Sequence, residues 1–219
     1  MATIYASSAD AQISAVSTDG SWSAARDATT ATVSSTGTRS SLAIYASHFP
    51  TRGGGEEWKV HRSFFDFDTS GVAVTPSSCT LQIYGYSATT ADIFVVKSEQ
   101  DHTGVDATDF DAITGWASSG DNEGNVTKYS AEITSWNHSS YNVITLNSTA
   151  RSDIASLDTF KVCLIESVHD LRDSEPSSGN GYQNGAYFIE GVGTSKDPKI
   201  VFVAGVAVTD NATFFGANF

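Results

Sequence analysis

The sequence predicts an all-β protein, a single antiparallel β-sandwich of jelly-roll type with an extended aromatic C-terminal tail. Three observations lead there. Short runs with a period of two recur along the chain, as strands with one buried face require. Clusters of Gly, Asn and Ser separate these runs. Helix signals are scarce, and no repeat of roughly 20 to 50 residues or compositional break marks a second domain. The 219 residues are therefore read as one β body, residues 1–203, and a tail, residues 204–219.

Residues 2–47 are rich in Ala, Ser and Thr and carry weak strand patterns at 3–5, 11–16, 31–34 and 41–46. Ser and Thr are poor core residues, so outer or edge strands are expected. Asp19-Gly20 signals a turn, and residues 48–58, with glycines at 53, 54 and 55, read as a loop. The densest patterning follows, over residues 62–96. In residues 62–68 the alternation puts Ser63, Phe65 and Phe67 on the core face and Arg62, Phe64, Asp66 and Asp68 on the other. Cys79, Leu81 and Ile83 alternate in the same way, and residues 93–96 are apolar on both faces.

Beyond Val96, residues 109–116 predict a helical turn that packs Phe110, Ile113 and Trp116 and closes at Gly115. Residues 129–136 fit either a strand or a short helix. A strand is expected at 141–146, then a short helix capped by Asn147 or Ser148 that carries Ala150, Ile154 and Leu157. Strands at 160–166, 186–190 and 199–203 close the body, with a long loop over 170–185. The tail ends with Phe214, Phe215 and Phe219. Each phenylalanine left in water forgoes about 1.5–3 kcal/mol, so the tail should dock, either on its own body or, as preferred here, on a neighbouring subunit.

A formal charge of −13 and a pI near 4.5 oppose phosphate backbones and anionic membranes, so no nucleic-acid partner and no membrane insertion are expected. Residues 1–6 lack the basic and apolar segments of a secretory signal. Cys79 and Cys163 are too few for a disulfide framework and read as buried free thiols.

No motif points to catalysis. Asp66 and Asp68 could suggest paired carboxylates, but Asp68 before Thr69-Ser70-Gly71 reads as a turn cap. The five histidines, at 48, 61, 102, 138 and 169, are scattered without a metal-ligand spacing. Asp106, Asp109 and Asp111, and the run Asp121-Asn122-Glu123, read as solvated acidic loops that miss the spacing of a calcium loop. His169-Asp170 beside Arg172 and Asp173 reads as a polar rim. Sugar binding would need aromatic faces beside polar groups, and Trp58 with Arg52 and Glu57, and Tyr182 near Asn180 and Gln183, are the loop candidates, with Trp22 third.

The order Arg62-Ser63-Phe64-Phe65-Asp66-Phe67-Asp68-Thr69-Ser70, then Cys79-Thr80-Leu81-Gln82-Ile83-Tyr84, resembles the DNRLRE-type domain and related disaggregatase-like carbohydrate-binding modules. Asp10-Ala11 and the closing Lys199-Ile200-Val201-Phe202-Val203 extend the resemblance over most of the chain. It implies a β-sandwich of the kind found in surface proteins, polysaccharide-binding modules and structural proteins of marine phages. Residues 193–198 and the aromatic tail look most like the phage group. The implied function is that of a non-enzymatic virion structural protein, a capsid decoration or tail component. It would assemble in the host cytoplasm with itself and other virion proteins and adhere to host surface polysaccharide. The alternative is a carbohydrate-binding module of an extracellular or surface protein. No cofactor is implied, although structural calcium is common in such modules.

Overall fold

The computed structural model describes residues 1–31, 33–35, 37–189 and 195–206; of residues 33–35 and of Ala88 only the backbone is described. The described residues form eleven strands: β1 (Ala2–Tyr5), β2 (Ala11–Thr18), β3 (Val33–Ser35), β4 (Arg39–Pro50), β5 (Glu56–Asp68), β6 (Ser78–Thr89), β7 (Ile93–Lys97), β8 (Tyr141–Thr145), β9 (Thr159–Glu166), β10 (Asn180–Tyr187) and β11 (Lys199–Val203). Helices α1 (Trp22–Arg26) and α2 (Ser148–Ser156) are short, and no described helix is long and apolar enough to cross a membrane.

All pairings are antiparallel, and hydrogen bonding runs continuously in the order β1-β11-β6-β10-β4-β5-β2-β3. The all-β expectation holds, with the strands joined in one sheet that curls and forks. The long β5 explains the fork. One of its edges pairs with β2, while the other pairs with β4 over Glu56–His61 and with β9 over Ser63–Asp68. The long β6 likewise serves β11 and β10 in succession on one edge and β8 on the other.

Curling brings Phe65 and Phe67 of β5 and Val162 and Leu164 of β9 into one core with Leu81 and Ile83 of β6, Ile144 of β8 and Ile200 and Phe202 of β11. Phe65, Phe67, Leu81 and Ile83 are the inward residues expected from the period-two pattern. Cys79 sits in the same core, and Cys163 in a second core; both are free thiols, and burial raises both, Cys79 to about 12. Thiols held so far above neutral pH are packing groups rather than nucleophiles.

The second core corrects the reading of β5 as half-solvated. Phe64 and Arg62 are fully buried on the face expected to meet water, and Asp66 is 3% exposed and accepts a hydrogen bond from the Ser7 hydroxyl. That face is roofed by α1 and by Phe110, Ile113 and Val126 of the long connection after β7. The same roof corrects the edge assignment of the Ala/Ser-rich strands. β2 lies between β5 and β3, and β4 lies between β10 and β5. Their small residues, among them Ala11, Ala15, Ala43 and Ala46, are fully buried, because small side chains let covering layers approach closely. Among the described strands, β1 and β3 end the main ladder, and β8, paired only with β6, is a further edge.

Local chemistry accounts for the remaining elements. Asn147 caps α2 by accepting from the Ala150 amide at 3.0 Å, and Ala150 and Ile154 are buried as expected, while Leu157 is 37% exposed. Asp68 accepts from the Ser70 amide and hydroxyl, as a turn cap should. The helical turn expected at 109–116 forms earlier, at Ala107–Asp109, because Asp106 and Asp109 cap each other's backbone amides there. Phe110 and Ile113 nonetheless pack, and Gly115 turns with φ +89°, a conformation other residues resist. Residues 129–136 run extended against β7 through an Ile93–Ile133 bridge. β10 starts at Asn180 rather than at 186: Asn180-Gly181-Tyr182-Gln183-Asn184-Gly185 reads as a turn in isolation, and pairing with β4 and β6 overrides that propensity.

Gly185 sits at the bulge of β10. A β-carbon there would lie 1.7 Å from the Tyr86 carbonyl oxygen and 2.9 Å from that of Ser40, both backbone atoms that cannot swing aside. Gly185→Ala is therefore expected to cost at least about 1–3 kcal/mol in urea unfolding. Gly53→Ala, where a β-carbon meets nothing within 4 Å, is the control and should be near neutral.

Candidate functional site

The chemistry-bearing residues fall into three groups. The first is a buried hub beneath the roof. Arg62 and Arg26 are both fully buried. Arg62 donates to both carboxylate oxygens of Asp170, at 2.8 and 2.7 Å, and to the carbonyls of Phe110 and Arg26. Arg26 donates to the carbonyls of Asp170, Gly120 and Leu171 and pairs with Asp27 at 2.6 Å. Both guanidiniums lie against the Trp116 ring, Arg62 at 4.0 Å and Arg26 at 4.6 Å from its centre. The carboxylate that meets Arg62 comes from the π-helical turn Ser167–Leu171 and not from a neighbouring strand.

That turn corrects the picture of residues 169–173 as a polar rim, since Asp170 is fully buried. Glu166 shapes it by accepting from the amides of Val168, His169 and Asp170, and burial pushes its carboxyl up to about 7. Beside it Arg172 binds Glu123 and Glu132, and the Arg172 hydrogen bond draws Glu123 down to about 2. Asp121 accepts from the Glu123 amide, and Asn122 is buried. The acidic loops thus serve caps and ion pairs.

The second group holds the sequence-predicted sugar-binding residues. The loop before β5 is shorter than expected, only residues 51–55, so Trp58 lies within the strand and is 9% exposed. Its indole N–H donates to Glu175 at 2.7 Å and its ring stacks on His48 at 4.6 Å. Tyr182, in β10, is half-buried and its ring lies 4.3 Å from that of His169. Register places Trp58 and Tyr182 on one sheet face, since Trp58 pairs with His48, and Val60 pairs with Ala46, which pairs with Tyr182. Glu57 points to the opposite face, 2.8 Å from Lys59, and Arg52 is exposed at the tip of the turn. The structure therefore unites the two aromatics, each with one ring face already against an imidazole, and separates them from Glu57. Trp22 lies in α1, 5% exposed, and donates to Asp173. Phe214, Phe215 and Phe219 lie outside the described residues.

The third group was not signalled by any side chain. A slot of about 540 Å³ separates β8 from the extended residues 130–135. Its ends are pinned: the Asn147 amide donates to the Tyr129 carbonyl, and the Asn142 side chain bonds the Asn137 backbone. Because the Leu146 amide donates to Cys79 of β6, even-numbered residues of β8 turn towards β6, and the amides of Val143 and Thr145 turn towards the slot. Val143 is 61% exposed. Open backbone edges of this kind accept extended chains. Sequence patterning could not reveal the slot, because backbone groups line it.

Compared with known protein families and with curated proteins, the sequence matches none.

Proposed function

We propose that the chain is a non-enzymatic structural subunit that assembles by accepting an extended segment of a neighbouring copy, in the manner of a virion surface protein. The observation that carries the assembly reading is the slot beside β8, where the outward amides of Val143 and Thr145, without a partner among the described residues, face about 540 Å³ of space. The virion setting is supported by the sequence resemblance alone, carried by residues 62–70 and 79–84 and extended by Asp10-Ala11, residues 193–203 and the aromatic tail.

The donor segment is the chain beyond Val206, whose last six residues carry Phe214, Phe215 and Phe219. Sedimentation of the whole chain at micromolar concentration is expected to show assemblies, and deletion of residues 211–219 to leave monomers. Val143→Pro should give the same loss of assembly, because it removes an amide facing the slot while leaving the β6 ladder bonds intact. Unchanged sedimentation of both variants sinks the reading.

A further inference from the structure

One outer surface of the sheet carries a chain of tyrosines and cations. Arg39 pairs with Tyr187 across β4 and β10, Tyr84 pairs with Tyr141 across β6 and β8, and the rings of Tyr84 and Tyr187 meet edge-on at 5.5 Å. Arg39, Tyr187, Tyr84 and Tyr141 thus form a row across four adjacent strands, roughly 14 Å long at the usual strand spacing. Tyr86 flanks the row, 5.5 Å from Tyr187 and 4.5 Å beneath the Arg39 guanidinium. Lys196 sits over Tyr187 at 4.4 Å and Tyr84 at 5.0 Å; Lys199 sits over Tyr141 at 4.0 Å and Tyr5 at 5.8 Å.

Two features set this surface apart. The first is charge. Of the twelve lysines and arginines, Arg26, Lys59, Arg62, Lys97, Lys128 and Arg172 each face a carboxylate, whereas Arg39, Arg52, Arg151, Lys161, Lys196 and Lys199 have none within 4 Å among the described residues, and three of these six, Arg39, Lys196 and Lys199, stand over one set of tyrosine rings. Asp197, whose charge Lys199 feels, is itself buried. The second is access. Tyr5 and Arg39 are exposed and the other rings half-buried, so the row is a shelf at the surface and not part of either core. The net charge of −13 does not forbid an anionic partner here, because physiological salt screens charges beyond about 8 Å and leaves the local cations in control.

We infer that the Arg39–Tyr141 row is a binding surface for an acidic polysaccharide. Aromatic edges and faces take the apolar C–H surfaces of successive sugar rings, and the three cations take their carboxylates or sulfates. Single-stranded nucleic acid also uses aromatic shelves with cations, but it carries a charge on every unit and calls for a basic groove, which a chain of this composition disfavours. The inference gives the glycan adherence that the sequence resemblance implies a surface other than that of Trp58 and Tyr182. It is independent of assembly through the slot.

Affinity electrophoresis of the whole chain tests it, in gels containing a polyuronate, a sulfated polysaccharide, an uncharged glucan or single-stranded DNA. Retardation in one or both acidic glycans is expected, at least tenfold weaker in the K196Q/K199Q variant and in Tyr187→Ala, with Trp58→Phe binding like the wild type. Circular dichroism and sedimentation of the same variants should match the wild type, which separates loss of the surface from loss of fold or assembly. No retardation in either acidic glycan, equal retardation of the variants, or stronger retention by DNA than by both glycans overturns the inference.

Discussion

Replacing Asp170 by asparagine is expected to lower the free energy of unfolding by about 3–5 kcal/mol, a large part of the stability of a domain this size. The charge of Arg62 would remain, fully buried, with no counter-charge, and the bidentate geometry would be lost. The damage would spread, because the same guanidinium holds the carbonyls of Phe110 and Arg26, and Arg26 in turn holds Asp170, Leu171 and Gly120. Urea unfolding followed by tryptophan fluorescence measures the loss. Glu57→Gln is the reference: it breaks the half-exposed pair with Lys59 and should cost less than about 1 kcal/mol. Equal effects from the two substitutions would mean that the roof over β5 is held by apolar contact and not by the hub.

The second large effect concerns pH. Burial pulls His61 down to about 4 from its ordinary 6.5, its Nδ1 lying 2.9 Å from both the Leu42 carbonyl and the Gln12 side-chain amide. The native state therefore favours the neutral ring. As pH falls below 6.5 the unfolded chain takes up a proton that the native ring refuses until about pH 4, so stability is lost across that window. The difference is on the order of 3 kcal/mol. Glu166 acts in the opposite sense. Its native carboxyl, raised to about 7, holds a proton that the unfolded chain releases above its ordinary 4.5, so its contribution grows as pH falls from 7 to 4.5. The two slopes oppose each other where the windows overlap, and the wild-type curve should be shallow there. His61→Gln removes one of them. Relative to wild type, this variant should gain on the order of 3 kcal/mol as pH is lowered from 7 to 4, read from urea midpoints at several pH values. Parallel curves for variant and wild type would refute the assignment of the acid slope to His61.

How much of this was legible in the sequence depended on the range over which each feature is decided. Phe65 and Phe67, Leu81 and Ile83, and residues 199–203 were readable because alternation within one strand is local. So were Asn147 and Asp68, whose caps involve residues two or three positions away. Alternation could not tell whether a second face is also covered, so Arg62, Phe64 and Asp66 were placed in solvent; their cover comes from segments over 30 residues away. The Arg26–Asp170 contact spans 144 residues, and nothing near either residue announces it. Small residues misled for a related reason. Ala and Ser in β2 and β4 look like surface strands, yet their size is what close packing demands. The aromatic shelf was half legible, since Tyr84 and Tyr86 share a face by period two, but Tyr141 and Tyr187 join them only through the register of β8 and β10.

The β1–β11 ladder sets the order in which this chain can mature on the ribosome. Ala2 faces Phe202 and Tyr5 faces Lys199, so β1 must wait for β11, about 200 residues later in synthesis. At roughly 5–20 residues per second that delay is about 10–40 seconds. During it β6 lacks its β11 neighbour, with Leu81 and Cys79 unshielded on that side. The hairpin of β4 and β5, closed by residues 51–55, is available much sooner and is the natural place for folding to begin. Until β11 emerges, β1 and β6 stand without the strand that joins them.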